Sequence, residues 1–111
     1  MRNKGNKYEA LAVEYLESKG YSVLERNFHC GRGEIDIVAF KDDTLVFVEV
    51  KGGTTGEFGH PVERLTRAKF LRILECAYRF MEKQGRELPF RIDLITVFRG
   101  KIQHYENVSL L

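Results

Sequence analysis

Hydrophobic and polar positions alternate with a period of two across Gly33 to Lys51, GEIDIVAFKDDTLVFVEVK, on either side of Asp42-Asp43. Runs rich in β-branched residues around a polar turn predict a β-hairpin. An even loop centred on the two aspartates sets Phe40 opposite Leu45, Val38 opposite Phe47 and Ala39 opposite Val46. Extended to the open end, that register gives one apolar face of Ile35, Ile37, Ala39, Val46, Val48 and Val50. The other face is greasy near the turn and charged at its open end, where Asp36 meets Glu49 and Glu34 meets Lys51.

The remaining pattern surrounds this hairpin with helices and further strands. Tyr8, Leu11, Ala12, Tyr15 and Leu16 recur at helical spacing and predict an amphipathic helix over Tyr8 to Lys19, with Asn6 as N-cap and Gly20 as its end. Tyr21 to Phe28 predicts a strand antiparallel to the hairpin and beside it, followed by a tight loop, His29 to Gly33. Gly52 to Gly59 is glycine-rich and leaves the charged end directly, so it is expected to be poorly ordered without substrate. A helix follows His60-Pro61 and runs to about Lys83, with Gly85 as its stop and Phe70, Ile73, Leu74, Ala77, Tyr78 and Met81 as its buried stripe. Pro89 to Phe98 alternates again, Arg99-Gly100 turns, and Lys101 to Val108 is the last strand. These elements describe an α/β fold: a mixed, mainly antiparallel sheet of about five strands flanked by two helices.

Composition narrows the class. A chain of 111 residues, 43% hydrophobic and 31% charged, fits one globular domain over residues 1–111. No apolar run approaches the roughly 20 residues of a membrane span, and the N-terminus lacks the apolar segment of a signal peptide. Cys30 and Cys76, far apart in number, suggest reduced thiols and a cytoplasmic protein. Net charge is only +2, but Arg64, Arg67, Lys69 and Arg72 follow one another without an intervening acid. Basic residues near a helix N-terminus oppose its dipole, so a polyanionic partner explains them better than helix stability does. For any one of them a solvated face is an equal reading.

The facing acids carry the chemistry. Cβ atoms of a directly opposed pair lie roughly 4.5–5.5 Å apart. At an effective dielectric near 20, two carboxylates there repel by about 3 kcal/mol. A divalent cation converts that cost into a ligand set, and Mg²⁺ favours one or two carboxylates plus water and phosphate oxygens. Lys51 lies one side-chain repeat beyond Glu49, roughly 6.5–7 Å along the strand. Its flexible stem can bring an ammonium to a metal-bound water or a phosphate.

Asp36 followed by Glu49-Val50-Lys51 resembles the PD-(D/E)xK phosphodiesterase superfamily, whose fold is restriction-endonuclease-like. More narrowly, GEIDIVA and LVFVEVK, with Asn27 before them and Phe58 to Pro61 (FGHP) after, resemble the YraN-like bacterial family, usually compared with Holliday-junction resolvases. This resemblance spans nearly the whole chain. It implies a nuclease using Mg²⁺ or Mn²⁺ on nucleic acid, with DNA, including branched DNA, as the expected substrate. It further implies Asp36, Glu49 and the backbone carbonyl of Val50 as metal ligands, Lys51 as the group that orients water, and Glu9 as the helix-one glutamate serving the site. A solvated Glu9 is the alternative. Arg32 is a candidate phosphate contact or an ordinary loop residue. Gly52-Gly53 departs from the family, which has a small polar and then a basic residue there. Arg91-Ile92-Asp93 matches a recurring Arg-x-Asp feature and is expected to form a structural ion pair near the sheet edge. A homodimer would suit a symmetric junction.

Other chemistries find less support. His29, Cys30, His60, Cys76 and His104 lack zinc-ligand spacing, nothing specifies an activated thiol, and Gly52 to Gly59 lacks the Gly-Lys-Ser/Thr ending of a phosphate loop. From a different class, a nucleic-acid-binding or assembly module that keeps the nuclease fold without turnover is the competing expectation.

Overall fold

A computed structural model describes residues 5–53 and 65–109. Its elements are α1 (Gly5–Ser18), β1 (Ser22–Cys30), β2 (Gly33–Lys41), β3 (Thr44–Gly53), α2 (Arg67–Gln84), β4 (Phe90–Phe98) and β5 (Lys101–Tyr105). The strands form one sheet in the order β1-β2-β3-β4-β5. Only β3 and β4 run parallel; the other neighbours are antiparallel. This is the expected α/β architecture of a restriction-endonuclease-like fold, with a mixed five-stranded sheet and two helices.

The hairpin has the predicted register, from Lys41 opposite Thr44 to Ile37 opposite Val48. Asp42 and Asp43 take φ values of 52° and 60°, the two positive angles that a type I′ turn requires. Val46, Val48, Ile37 and Ala39 pack on one face with Ala12 and Leu16 of α1. Val38, Leu45 and Phe47 pack on the other with Ile73, Ala77 and Phe80 of α2. Each face of the sheet is thus covered by one helix, which is why the middle strands carry few polar side chains.

Several expectations are corrected. Ile35 belongs to the α2-side cluster, not to the face of Ile37 and Ala39. The β2–β3 pairing ends at Ile37, and beyond it the Val50 amide is taken by the Asp36 side chain instead of a strand carbonyl. Helix α1 already includes Asn6, so Asn6 does not cap it, whereas Gly20, at φ 93°, ends it as anticipated. Helix α2 is capped by Thr66, which accepts from the Lys69 amide, and stops at Gly85 with φ 73°. Its buried residues are Ile73, Cys76, Ala77, Phe80 and Met81, an unbroken i, i+3, i+4 stripe that leaves Tyr78 56% exposed. The last strand is shorter than expected and ends at Tyr105.

The two cysteines are not free thiols. Cys30, at the end of β1, is bonded to Cys76 on α2, with Cα atoms 5.5 Å apart, within the usual range for a bridge. Their separation of 46 residues hid this proximity. The Arg91–Asp93 ion pair is present at 3.0 Å, one strand in from the edge. Asp93 is fully buried and also receives His104 Nε2 at 2.7 Å and the Asn107 amide at 2.9 Å. Burial opposes its charge, but these partners prevail and hold its carboxyl below the usual range. Among the described residues no helix is long and apolar enough to cross a membrane.

Candidate metal and phosphate site

Beyond Ile37 and Val48 the hairpin strands no longer pair, and the acids gather there. The Val50 amide donates to Asp36 Oδ2 at 2.8 Å. That bond fixes Asp36 beside β3. Asp36 and Glu49 are 7% and 4% exposed, and both line one small cavity of about 150 Å³ with Glu34, Arg32, Lys69 and Arg72. Glu49 Oε2 is bound by the Lys69 ammonium of α2 at 2.6 Å.

Glu9 comes to the same place from α1. It is 7% exposed, so the solvated alternative does not hold, and its Oε1 is buried without a hydrogen-bond partner among the described residues. Ligand atoms of Glu9, Glu34 and Asp36 all lie within 4.8 Å of one another, a cluster able to bind a metal ion. Asn27, which stands at φ 55° in β1, hydrogen-bonds Glu9. Glu34 is exposed and pairs with His29 Nδ1 at 3.3 Å.

Such crowding perturbs titration. Asp36 is pushed up to about 8, first by burial and then by the charge of Glu49, with smaller contributions from Glu9 and Glu34; the Val50 hydrogen bond works against the rise. Glu9 is also raised by burial, against the opposing effects of Asn27 and Arg26. Lys69 is raised: burial disfavours its charge, but the bond to Glu49 outweighs that.

Of the residues singled out in the sequence, Asp36, Glu49, Arg32, Lys69 and Arg72 line the cavity, whereas Glu9 joins Asp36 and Glu34 in the carboxylate cluster, of which Glu49 is not a member. Lys51 is half-buried near the end of β3, and Arg67 is exposed at the start of α2 without lining the cavity. Arg64 and most of the glycine-rich segment lie outside the described residues. Sequence reasoning set Glu34 on the charged face with Asp36 but paired it with Lys51 and did not count it among the metal ligands, whereas its carboxylate lies with those of Asp36 and Glu9. Lys69, expected from the sequence either in a basic track for a polyanion or on a solvated face, has its ammonium on Glu49. Gly52 has a local cause: a Cβ there would fall inside the ring of Tyr8, so α1 leaves no room for a side chain at this position.

The family described as "Uncharacterised protein family UPF0102" matches residues 8–97. The chain belongs to the UPF0102 family. A UPF0102 protein of Aquifex aeolicus is 45% identical over 107 residues, covering 96% of this chain and 97% of its own length. Another, from a Sulfurihydrogenibium species, is 44% identical over 111 residues and is covered over 95% of its length. One from Fervidobacterium nodosum is 45% identical over 104 residues, with 77% of its length covered. Among solved structures, Pyrococcus furiosus SfsA in complex with Ca²⁺ matches with a TM-score of 0.36 and 14% identity, covering 96% of this chain and 64% of that one. That likeness is too slight to bear on the function of this UPF0102 protein.

Proposed function

We propose that the chain is a metal-dependent nuclease that hydrolyses phosphodiester bonds of nucleic acid, with DNA, including branched DNA, as its substrate class. One observation supports the reading: buried, mutually repelling carboxylates are gathered at one end of the hairpin, and one oxygen of Glu9 has no hydrogen-bond partner among the described residues. Such an arrangement costs free energy unless a cation compensates it. The donor set is all carboxylate oxygen, which suits Mg²⁺ or Mn²⁺ rather than zinc. Asp36 and Glu49 would hold the ion together with the Val50 carbonyl, and Glu9 would support a second ion or a bound water. A bound Mg²⁺ supplies a more acidic water and a polarised phosphoryl oxygen. Lys51 orients that water and stabilises negative charge developing on the phosphate. Arg32 and Arg72 hold neighbouring phosphates, and Arg64 and Arg67 extend the basic track. The substrate class puts the reaction in the cytoplasm, and a symmetric junction would call for a homodimer.

The test is cleavage of single-stranded, duplex, flap and four-way DNA with Mg²⁺ or Mn²⁺. Asp36→Ala, Glu49→Ala and Lys51→Ala are each expected to lower cleavage about a thousandfold or more, as loss of a principal charge-stabilising group does, while DNA binding persists. A second reading, a nucleic-acid-binding module without turnover, is favoured by the Lys69–Glu49 ion pair, which supplies the protein's own cation to one acid. Salt-sensitive binding that survives Asp36→Ala, with no cutting of any substrate by either metal, would establish that module instead.

A further inference from the structure

Lys69 is held at the acids by more than chance proximity. Its ammonium lies 2.6 Å from Glu49 Oε2, and Glu49 is 4% exposed. Helix energetics do not select a lysine there, because a cation in the first turn opposes the dipole and no acid in that turn offsets it. The backbone beneath it is anchored: the Lys69 amide donates to Thr66 Oγ1 at 3.2 Å, and two turns further on Cys76 is bonded to Cys30 of β1. Glu49 therefore faces an ammonium on a fixed base with a flexible stem, able to let go without moving the helix.

We propose that Lys69 is a stand-in cation, which holds Glu49 in the metal-free protein and yields that carboxylate when a divalent cation binds. The inference rests on the metal-dependent reading above and assigns a positioning role within it. Lysine and metal ion compete for the same oxygen, so each weakens the other's hold. Release turns the ammonium into the cavity it shares with Arg32 and Arg72, so that metal loading adds a positive charge where an anionic substrate group would lie. Without metal, the same bond spares Glu49 an uncompensated burial.

Mn²⁺ titration, followed by the EPR signal of free Mn²⁺, tests this without any turnover. Lys69→Met is expected to bind Mn²⁺ about tenfold tighter than wild type, the lower end of what a charge-assisted hydrogen bond contributes. Lys69→Gln, which keeps a donor for Glu49 should the methionine variant fold poorly, is expected to shift in the same direction. Arg72→Met removes an equal charge from the same cavity and is expected to stay within about twofold, which separates competition from general electrostatics. Far-UV circular dichroism in EDTA checks that each variant is folded. If Glu49→Gln abolishes Mn²⁺ binding yet neither Lys69 variant binds tighter than wild type, the metal reading stands and the role of Lys69 is overturned. If wild-type binding does not depend on Glu49, both fall together.

Discussion

Asp36 shows how a single side chain can decide a local structure. Its carboxylate takes the Val50 amide, stops the hairpin ladder and lets Ile35 turn to the α2 side. With a value near 8, mainly from burial, it is largely protonated at neutral pH when no cation is bound. An unfolded chain ionises the same group from about pH 4 upward. As pH rises from about 4 to 8, stability contributed at this position is therefore lost, and the loss levels off above 8. Asp36→Asn keeps an acceptor for Val50 and never ionises. In EDTA at pH 7 it is expected to be more stable than wild type by about 1–3 kcal/mol, discounting the full shift heavily, and the gain should vanish near pH 4. Thermal melts of both proteins across that range check it; a variant less stable at pH 7 would contradict the shift. The nearness of Asp36 and Glu49 was legible in the sequence through period-two alternation, but the cross-strand pair expected of them is not formed, because the ladder stops at Ile37 and Val48. The approach of Glu9 was legible only through the family resemblance, because a flanking helix position fits water and interior equally well.

At the scale of elements, what could be read locally was read, and what depended on docking was not. Two of the tight turns form on pairs of residues with positive φ, Asp42-Asp43 and Arg99-Gly100, while the third, Gly31-Arg32, has a positive φ at Gly31 alone; their neighbours in sequence announce them. The lie of α2 over the sheet has no such local signature, so the Cys30–Cys76 bond, the burial of Cys76 and Phe80 and the Lys69–Glu49 pair all escaped notice. The contact of α1 with the end of β3 is of the same kind. Tyr8 packs where a side chain on Gly52 would have to go, one residue before the Glu9 that α1 delivers to the acids. Gly52→Ala is expected to cost about 1–3 kcal/mol, the range for overpacking a filled site, and to weaken Mn²⁺ binding by displacing Glu9. Gly53→Ala supplies the comparison, read by chemical denaturation and the same Mn²⁺ titration. Equal stability of the two variants would mean that Tyr8 does not press on Gly52.

For the whole molecule, composition announces little: a net charge of +2 is unremarkable, and the basic groups matter by where they sit. Arg32, Lys69 and Arg72 share one cavity with the acids, so binding of nucleic acid is expected to weaken steeply with salt, log K falling linearly with log salt concentration. Arg32→Ala and Arg72→Ala should each reduce that slope by about one contact and weaken binding alike across sequences. Fluorescence anisotropy over a salt series measures both, and an unchanged slope would remove these arginines from the contact surface. The fold class was readable because strands and helices carry distinct periodicities throughout the chain. The strand order, which simply follows the chain from β1 to β5, has a consequence for biosynthesis. Asp36 and Glu49 lie in one hairpin whose strands pair through contacts close in sequence, so that part of the sheet can assemble early in a chain made N-terminus first. Glu49 gains its ammonium only later, when α2 docks on the finished hairpin and brings Lys69 to it.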